Sequence, residues 1–271
     1  MRMAMLVALI VSAVSCLIQA EDTRETKPLR LRILTYNIHH GEGTDGKFDL
    51  DRIAKIITDA KADIVALQEV DVKTNRVKGV DIASELGKLT GMHHTFGKAI
   101  DFSGGGYGNA ILSKWKLESA KTHPLPSTPG NEARAALAAT IKLGEAGPQF
   151  TFISTHLDYK AKSSDRPAQV KKLNDLFAGD DAGLSILAGD MNAQPGEEEI
   201  KVLREKWESA AHAPGMKAQP TYPSDKPGVL IDYVLLRPQK QWRVVEVNVL
   251  EEKVASDHRP LLVVVEWQTE K

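Results

Sequence analysis

Asp190 and Asn192 flank Met191 at the point where the apolar run 186–188 stops at Gly189, so a carboxylate and an amide leave the chain on one face, two residues apart. Glu69 stands just past the run 64–67 (IVAL), with Gln68 and no turn residue between them. Asn37 follows Thr35-Tyr36, His156 follows Ser154-Thr155, and Asp257-His258 precede Arg259-Pro260 and the apolar segment 261–265. Polar groups at the ends of apolar strands are costly unless they are paired or bound to an ion, and so many of them suggest one shared polar floor. Carboxylate and amide oxygens are the donors that a hard divalent cation takes. The only cysteine is Cys16 and there is no His-x-x-x-His pattern, so Mg²⁺, or Mn²⁺ in its place, is favoured over zinc.

His156 and His258 belong to the same set. A single histidine is more often a surface or core residue than a catalyst, and a carboxylate partner changes that reading. Asp232 lies in Leu230-Ile231-Asp232-Tyr233-Val234, an acid in an otherwise apolar strand. Buried alone, it would cost several kcal/mol or be forced to protonate. A pair with His258 would satisfy both residues.

The elements that must position these groups follow from periodicity. Short apolar, β-branched runs predict strands at 31–38, 63–69, 107–113, 133–143, 150–156, 184–189, 230–236, 243–250 and 261–267, with helices at 50–61, 80–90, 166–178 and 196–206. Leu50, Ile53, Ile56 and Ile57 recur at helical spacing, which should lay one face of that helix on a sheet. Strands outnumber helices, and the helices fall between distant strands. That pattern argues against a doubly wound parallel sheet and for two packed sheets with helices outside. The run 101–106 (DFSGGG) reads as a flexible turn; it lacks the Lys-Ser/Thr of a nucleotide P-loop.

The 271-residue chain is 42% hydrophobic and 26% charged, which is ordinary globular composition and excludes disordered, collagen-like and coiled-coil classes. Its formal net charge of −1 gives no overall field to hold a polyanion, although a local basic groove is not excluded. Arg2, the apolar stretch Met3–Leu17 and the small Ala20 before Glu21-Asp22 have the layout of a secretory signal at 1–20, followed by a linker at 21–30 and a single domain at 31–268. The apolar stretch is short of the roughly 20 residues that span a bilayer. Cleavage after Ala20 would remove Cys16; alternatively, Ala13-Val14-Ser15-Cys16 reads as a lipoprotein signal with Cys16 acylated.

Seven strings fall in one order: Thr35-Tyr36-Asn37-Ile38-His39, Leu67-Gln68-Glu69-Val70, Tyr107-Gly108-Asn109-Ala110-Ile111-Leu112-Ser113, Ser154-Thr155-His156-Leu157-Asp158, Gly189-Asp190-Met191-Asn192-Ala193-Gln194-Pro195, Ile231-Asp232-Tyr233 and Ser256-Asp257-His258-Arg259-Pro260. Together they resemble the signature of the endonuclease/exonuclease/phosphatase superfamily, over residues 31–265. Met191 departs from the usual Phe or Leu, and its side chain should point away from the reacting atoms.

The resemblance implies a four-layered α/β sandwich, two packed mixed β-sheets flanked by helices, with the site at the rim between the sheets. It implies that Glu69, with Asn37 and Asp257, holds the metal. Asp190, oriented by Asn192, would position or deprotonate the attacking water. His258, held by Asp232, competes for that role or donates to a phosphate oxygen, and His156 and Asn192 donate to the phosphorus oxygens. Asn109, Arg76 and Arg134 occur where related secreted bacterial members carry like residues, and would contact a substrate phosphate; the two arginines read equally as surface charges. His39 and His40, before Gly41-Glu42-Gly43, either line the mouth or belong to a plain glycine loop.

The expected function is therefore an exported, Mg²⁺-dependent phosphoesterase. Its partner is a phosphate ester, whether small molecule, lipid headgroup or nucleic acid, and no obligate protein partner is called for; a monomer is expected. Extracellular endonuclease action is the alternative, against which near-neutral charge and an aromatic content of only 6% count modestly. A non-catalytic binding module on the same fold would be expected to have lost Glu69, Asp190 or His258, and all are present.

Overall fold

The structure, a computed structural model, describes residues 29–268 apart from 146, 181 and 218; the expected signal, with its alternative processing points at Cys16 and Ala20, lies outside the described residues. The first half of the chain alternates β1 (Arg30–Asn37), α1 (Leu50–Asp59), β2 (Ile64–Val72), α2 (Ile82–Thr90), β3 (His93–Phe102), β4 (Gly105–Ser113) and β5 (Glu118–Pro124). The second half runs through β6 (Ala135–Lys142), β7 (Gln149–His156), α3 (Arg166–Phe177), β8 (Ser185–Asp190), α4 (Glu198–Arg204), β9 (Glu208–Ser209), β10 (Asp232–Arg237), β11 (Trp242–Val249) and β12 (Leu261–Trp267). They form two six-stranded sheets, ordered β11-β12-β1-β2-β4-β3 and β5-β6-β7-β8-β10-β9. Both are mixed: β1 and β2 are parallel, as are β7 and β8, and the remaining pairings are antiparallel.

Alternation along each strand explains the layers. Leu31, Ile33, Ile64, Ala66 and Val263 from one sheet meet Leu137, Phe152, Ile186, Ala188 and Val234 from the other in a common core. Their intervening neighbours face outward, where Leu34, Val65 and Leu67 pack under α1 and α2, and Ile153, Leu187 and Leu235 under α3 and α4. In α1 the apolar spacing buries Leu50, Ile53 and Ile57 and half-buries Ile56, each contributing roughly 1.5–3 kcal/mol. Asp49 and Asp81 cap α1 and α2 by accepting from Arg52 N and Ser84 N, and Gly91 ends α2 in the left-handed region. This is the four-layered α/β sandwich.

Direction decides where the polar strand ends meet. The parallel pairs run toward the same rim, with Asn37 beside Gln68 and His156 beside Asp190. The antiparallel β10 starts there, Asp232 opposite Asp190, and β12 starts opposite Thr35, so Asp257 and His258 lie just before it at the same end. Glycine is required at 189 for a local reason. A Cβ there would lie 2.0 Å from the Thr155 carbonyl oxygen, and any side chain would push β8 away from β7.

The strands β3, β5 and β9 were not expected from the sequence, and β1 begins inside the expected linker. The segment 101–106 is ordered as a tight hairpin, with Ser103 and Gly104 at φ 45° and 83° between β3 and β4.

Candidate active site

At the rim between the sheets lies a cleft of about 460 Å³. Asp190 forms its centre. Its Oδ1 accepts from Asn192 N at 2.9 Å, and its Oδ2 lies 3.2 Å from Asn37 Nδ2, 3.4 Å from His156 Nε2 and 3.6 Å from His258 Nε2. Asp190 is 1% exposed, so it has no bulk water to share its charge. Asn37 bridges the two sheets, because the same Nδ2 donates to Glu69 Oε1 at 3.0 Å.

Glu69 reaches this point through backbone irregularity. The β2–β4 register slips between Leu67 and Val70, and Glu69 sits in that bulge at φ 56°, a strained value for a residue with a side chain. The bulge turns its carboxylate into the cleft. Asn192 is also left-handed, at φ 47°, which asparagine tolerates, and this swings its amide back to His156 Nε2 at 3.0 Å and the Leu157 carbonyl at 3.1 Å. Met191 between them is fully buried in the core under α3 and α4.

The protonation states follow from the partners. Arg134 Nη1 lies 3.1 Å from His156 Nδ1, and since a guanidinium only donates, that nitrogen must accept and the ring proton sits on Nε2, facing Asp190 Oδ2 at 3.4 Å; the Asn192 amide, itself a donor, gives its hydrogen to the Leu157 carbonyl. Burial, Arg134 and His258 all hold His156 well below the ordinary imidazole range, so it is neutral. His258 goes the other way. Burial lowers it, but Asp232, whose Oδ2 accepts from His258 Nδ1 at 2.9 Å, and the nearby Asp190 outweigh burial and carry it up to about 10. Burial and the charge of Asp232 raise Asp190 to about 7 against the opposing pull of His258, Asn192 and Asn37. Fully buried, Asp232 leaves its Oδ1 without a partner among the described residues, which makes the His258 contact its main compensation.

Residues 34–258 match the sequence model of the Endonuclease/Exonuclease/phosphatase family. The chain belongs to this family. Family members are hydrolases acting on phosphate esters. Among solved structures, an endonuclease/exonuclease/phosphatase from Beutenbergia cavernae superposes with a TM-score of 0.72 at 23% identity, covering 88% of this chain and 72% of that one. A mannosyl-6-phosphatase of Bacteroides thetaiotaomicron gives 0.70 at 17%, covering 88% and 100%. The human Nocturnin catalytic domain with a bound sulfate gives 0.65 at 21%, covering 89% and 96%. At these identities the likeness is one of fold.

The donor set of this family member fits a hard divalent cation. Among the described residues, Glu69, Asp257 and Asp190 have no Lys or Arg ion pair, although all three line the same cleft. Glu69 is half-exposed with the Asn37 amide as its hydrogen-bond partner, so its carboxylate keeps free lone pairs. Asn37 lies beneath the cleft surface, fully buried, and its Oδ1 accepts from His39 N at 3.1 Å.

The wall is made of arginines and aromatics. Arg76 is held by Asp71 through two contacts of 2.6 and 2.8 Å, with its guanidinium 4.6 Å from the Phe102 ring centre and 5.6 Å from that of Tyr107. Arg134, 4% exposed, adds Glu132 at 3.0 Å and the Tyr159 ring at 5.7 Å. Neither is an ordinary surface charge. Asn109 does not reach the cleft: 2% exposed and one pleat deeper than Tyr107 on the same face of β4, it donates through Nδ2 to the Ala135 carbonyl across the sheets. His39 stays off the cleft lining, with Nδ1 donating to the Glu42 carbonyl at 3.0 Å. Burial, then Arg76 and His39, push His40 down to about 4, so it too is neutral.

Sequence reasoning missed Asp71, Phe102, Tyr159 and Tyr222, whose ring centre is 4.9 Å from that of His258. Tyr159 immediately follows Ser154-Thr155-His156-Leu157-Asp158, and Asp71 continues the Glu69 alternation. Those were the available signals.

Proposed function

We propose that the chain is an exported phosphoesterase that depends on a divalent cation and hydrolyses a P–O bond of a compact phosphate ester by in-line attack of water. One observation carries the reading: Asp190 Oδ2 is held within 3.6 Å of both His156 and His258, on the floor of a cleft it shares with Glu69 and Asp257. Glu69 and Asp257, above Asn37, are the residues to hold the cation. When bound, Mg²⁺, or Mn²⁺ in its place, polarises a phosphoryl oxygen and screens developing charge.

The protein's own groups divide the remaining work. Asp190 is the base: Asp232 keeps the proton on His258 through the neutral range, whereas Asp190, raised to about 7, gives its proton up as pH rises through neutrality. His258, with the proton retained by Asp232, donates from Nε2 to a phosphoryl oxygen. His156 donates from Nε2 and Asn192 from its amide, and Arg134 fixes the His156 tautomer that makes this donation available. Loss of one positioned donor of this kind costs about 10²–10³ in turnover.

A cleft of about 460 Å³ matches a small molecule or a headgroup, and the near-neutral chain supplies no extended field for a duplex. The fold shared with a mannosyl-6-phosphatase supports the sugar-phosphate end of this range. Residues 21–271 should be assayed with Mg²⁺, Mn²⁺ or EDTA on p-nitrophenyl phosphate, its bis ester, hexose phosphates, sphingomyelin and plasmid DNA. Metal-dependent turnover of a small ester is expected; turnover in EDTA, or on DNA alone, would overturn the reading. The mass of the mature N-terminus from expressing cells tests export, with processing before Glu21 or acylation at Cys16 as the supporting results.

A further inference from the structure

We propose that His39 and His40 join Glu69 in holding the cation, so that this site is part imidazole and prefers a transition metal such as Mn²⁺ over Mg²⁺. One ligand atom from each of the three lies within 4.8 Å of the other two. Two ligands each about 2.1 Å from one cation sit at most about 4.2 Å apart, so a shift of under 1 Å closes the cluster on an ion.

Each ring keeps a nitrogen that no hydrogen bond among the described residues uses. His39 Nδ1 donates to the Glu42 carbonyl at 3.0 Å, which leaves Nε2 with a free lone pair; a backbone carbonyl on the far nitrogen is the usual support of a metal-bound histidine. The His40 side chain is 12% exposed, its Nε2 lies 3.9 Å from Glu42 Oε2, and its buried Nδ1 has no hydrogen-bond partner among the described residues. A buried nitrogen without a partner is a cost that a bound cation removes. The backbone is bent to the same end. His39 and His40 are both at φ 44° and Glu69 at φ 56°, so all three contributors to the cluster occupy a region that side chains disfavour.

The chemistry then separates two cations. Mg²⁺ takes oxygen ligands and water, whereas imidazole suits the first-row transition metals. The inference rests on Glu69 being the metal-facing carboxylate of the proposed phosphoesterase, and its test reads binding without substrate, so the two can fail separately. Protein stripped with EDTA is titrated with Mn²⁺ and Mg²⁺ by calorimetry, and the Mn²⁺ complex is examined by pulsed electron paramagnetic resonance for ¹⁴N coupling. Wild type is expected to show imidazole ¹⁴N coupling and to favour Mn²⁺ strongly. His39→Gln, His40→Gln and their combination should weaken the coupling stepwise and lower the Mn²⁺/Mg²⁺ preference about tenfold each, while His156→Gln leaves both unchanged. Should His40→Gln fail to fold by circular dichroism, the more accessible His39→Gln carries the test alone. An unchanged preference in His39→Gln, or coupling that disappears only in His156→Gln, overturns the inference.

Discussion

The two sheets carry equivalent parallel pairs at their centres, β1/β2 and β7/β8, yet the pairs end differently. In the second sheet the ends are closed: Asp190 has Asn192, Asn37, His156 and His258 around it, and Asp232 has His258. In the first sheet the end stays open, because Glu69 is swung out by a bulge and, among the described residues, its carboxylate accepts a hydrogen bond from the Asn37 amide alone. One half uses its lone pairs on protein donors and thereby fixes protons and orientation. The other half keeps them for a ligand. The difference assigns proton handling to the second sheet and cation holding to the first, and each assignment can be broken separately.

The largest effect is expected at the closed half. Asp190→Ala should lower kcat by about 10³–10⁴ with the fold intact, since it removes the base and leaves the binding wall in place. Steady-state kinetics with circular dichroism check this, and a variant within tenfold of wild type would move the base elsewhere. The contrast with the first sheet holds only if high metal concentration does not rescue it.

Next comes the Asp232–His258 pair. Removing one partner of a buried ion pair costs about 3–5 kcal/mol, so Asp232→Ala should destabilise the protein by that order in denaturant melts. Its pH dependence has a definite sign. The His258 imidazole is raised from 6.5 to about 10 on folding, so its contribution is complete below pH 6.5 and is lost as pH rises through 10. In EDTA, wild type should therefore lose stability relative to His258→Gln between pH 6.5 and 10. A constant difference over that window would mean that the imidazole is not protonated in the folded state.

The open half should respond to metal instead. Glu69→Gln keeps the bulge and the Asn37 contact but removes the charge, so the divalent concentration for half-maximal activity should rise about 10–100-fold. Activity as a function of Mg²⁺ and Mn²⁺ measures this. Loss of turnover with no change in the metal requirement would erase the distinction between the two halves.

What the sequence disclosed follows the same division. Asn37, Glu69, His156 and Asp190 stand where an apolar run ends and Asp257 just before one begins, and a polar group in that setting demands a partner, so the floor was legible. The nine expected strands and four helices also had clear periodicity. β3 and β5 did not: each pairs with a single neighbour at a sheet edge, and their polar, largely exposed residues carry no alternation. Asn109 was misplaced because motif order carries no depth; only the pleat shows that Tyr107 reaches the cleft and Asn109 the gap between sheets. The wall was illegible for another reason. Phe102 and Tyr159 read as ordinary aromatics until a hairpin and a loop bring them against Arg76 and Arg134.

The smallest predicted effect belongs to that wall. Phe102 is 38% exposed at the end of β3, with Arg76 4.6 Å from its ring centre. The two contacts of Arg76 with Asp71 hold the guanidinium in place without the ring. Phe102→Ala should therefore leave kcat and the metal requirement unchanged and remove only a contact surface for substrate. Losing roughly 20–40 Å² of apolar contact at about 25 cal/mol per Å² costs about 0.5–1 kcal/mol, so KM should rise about 2–5-fold. A drop in kcat without a change in KM would tie the wall to the proton-handling half, and the division between positioning and chemistry would have to be drawn elsewhere.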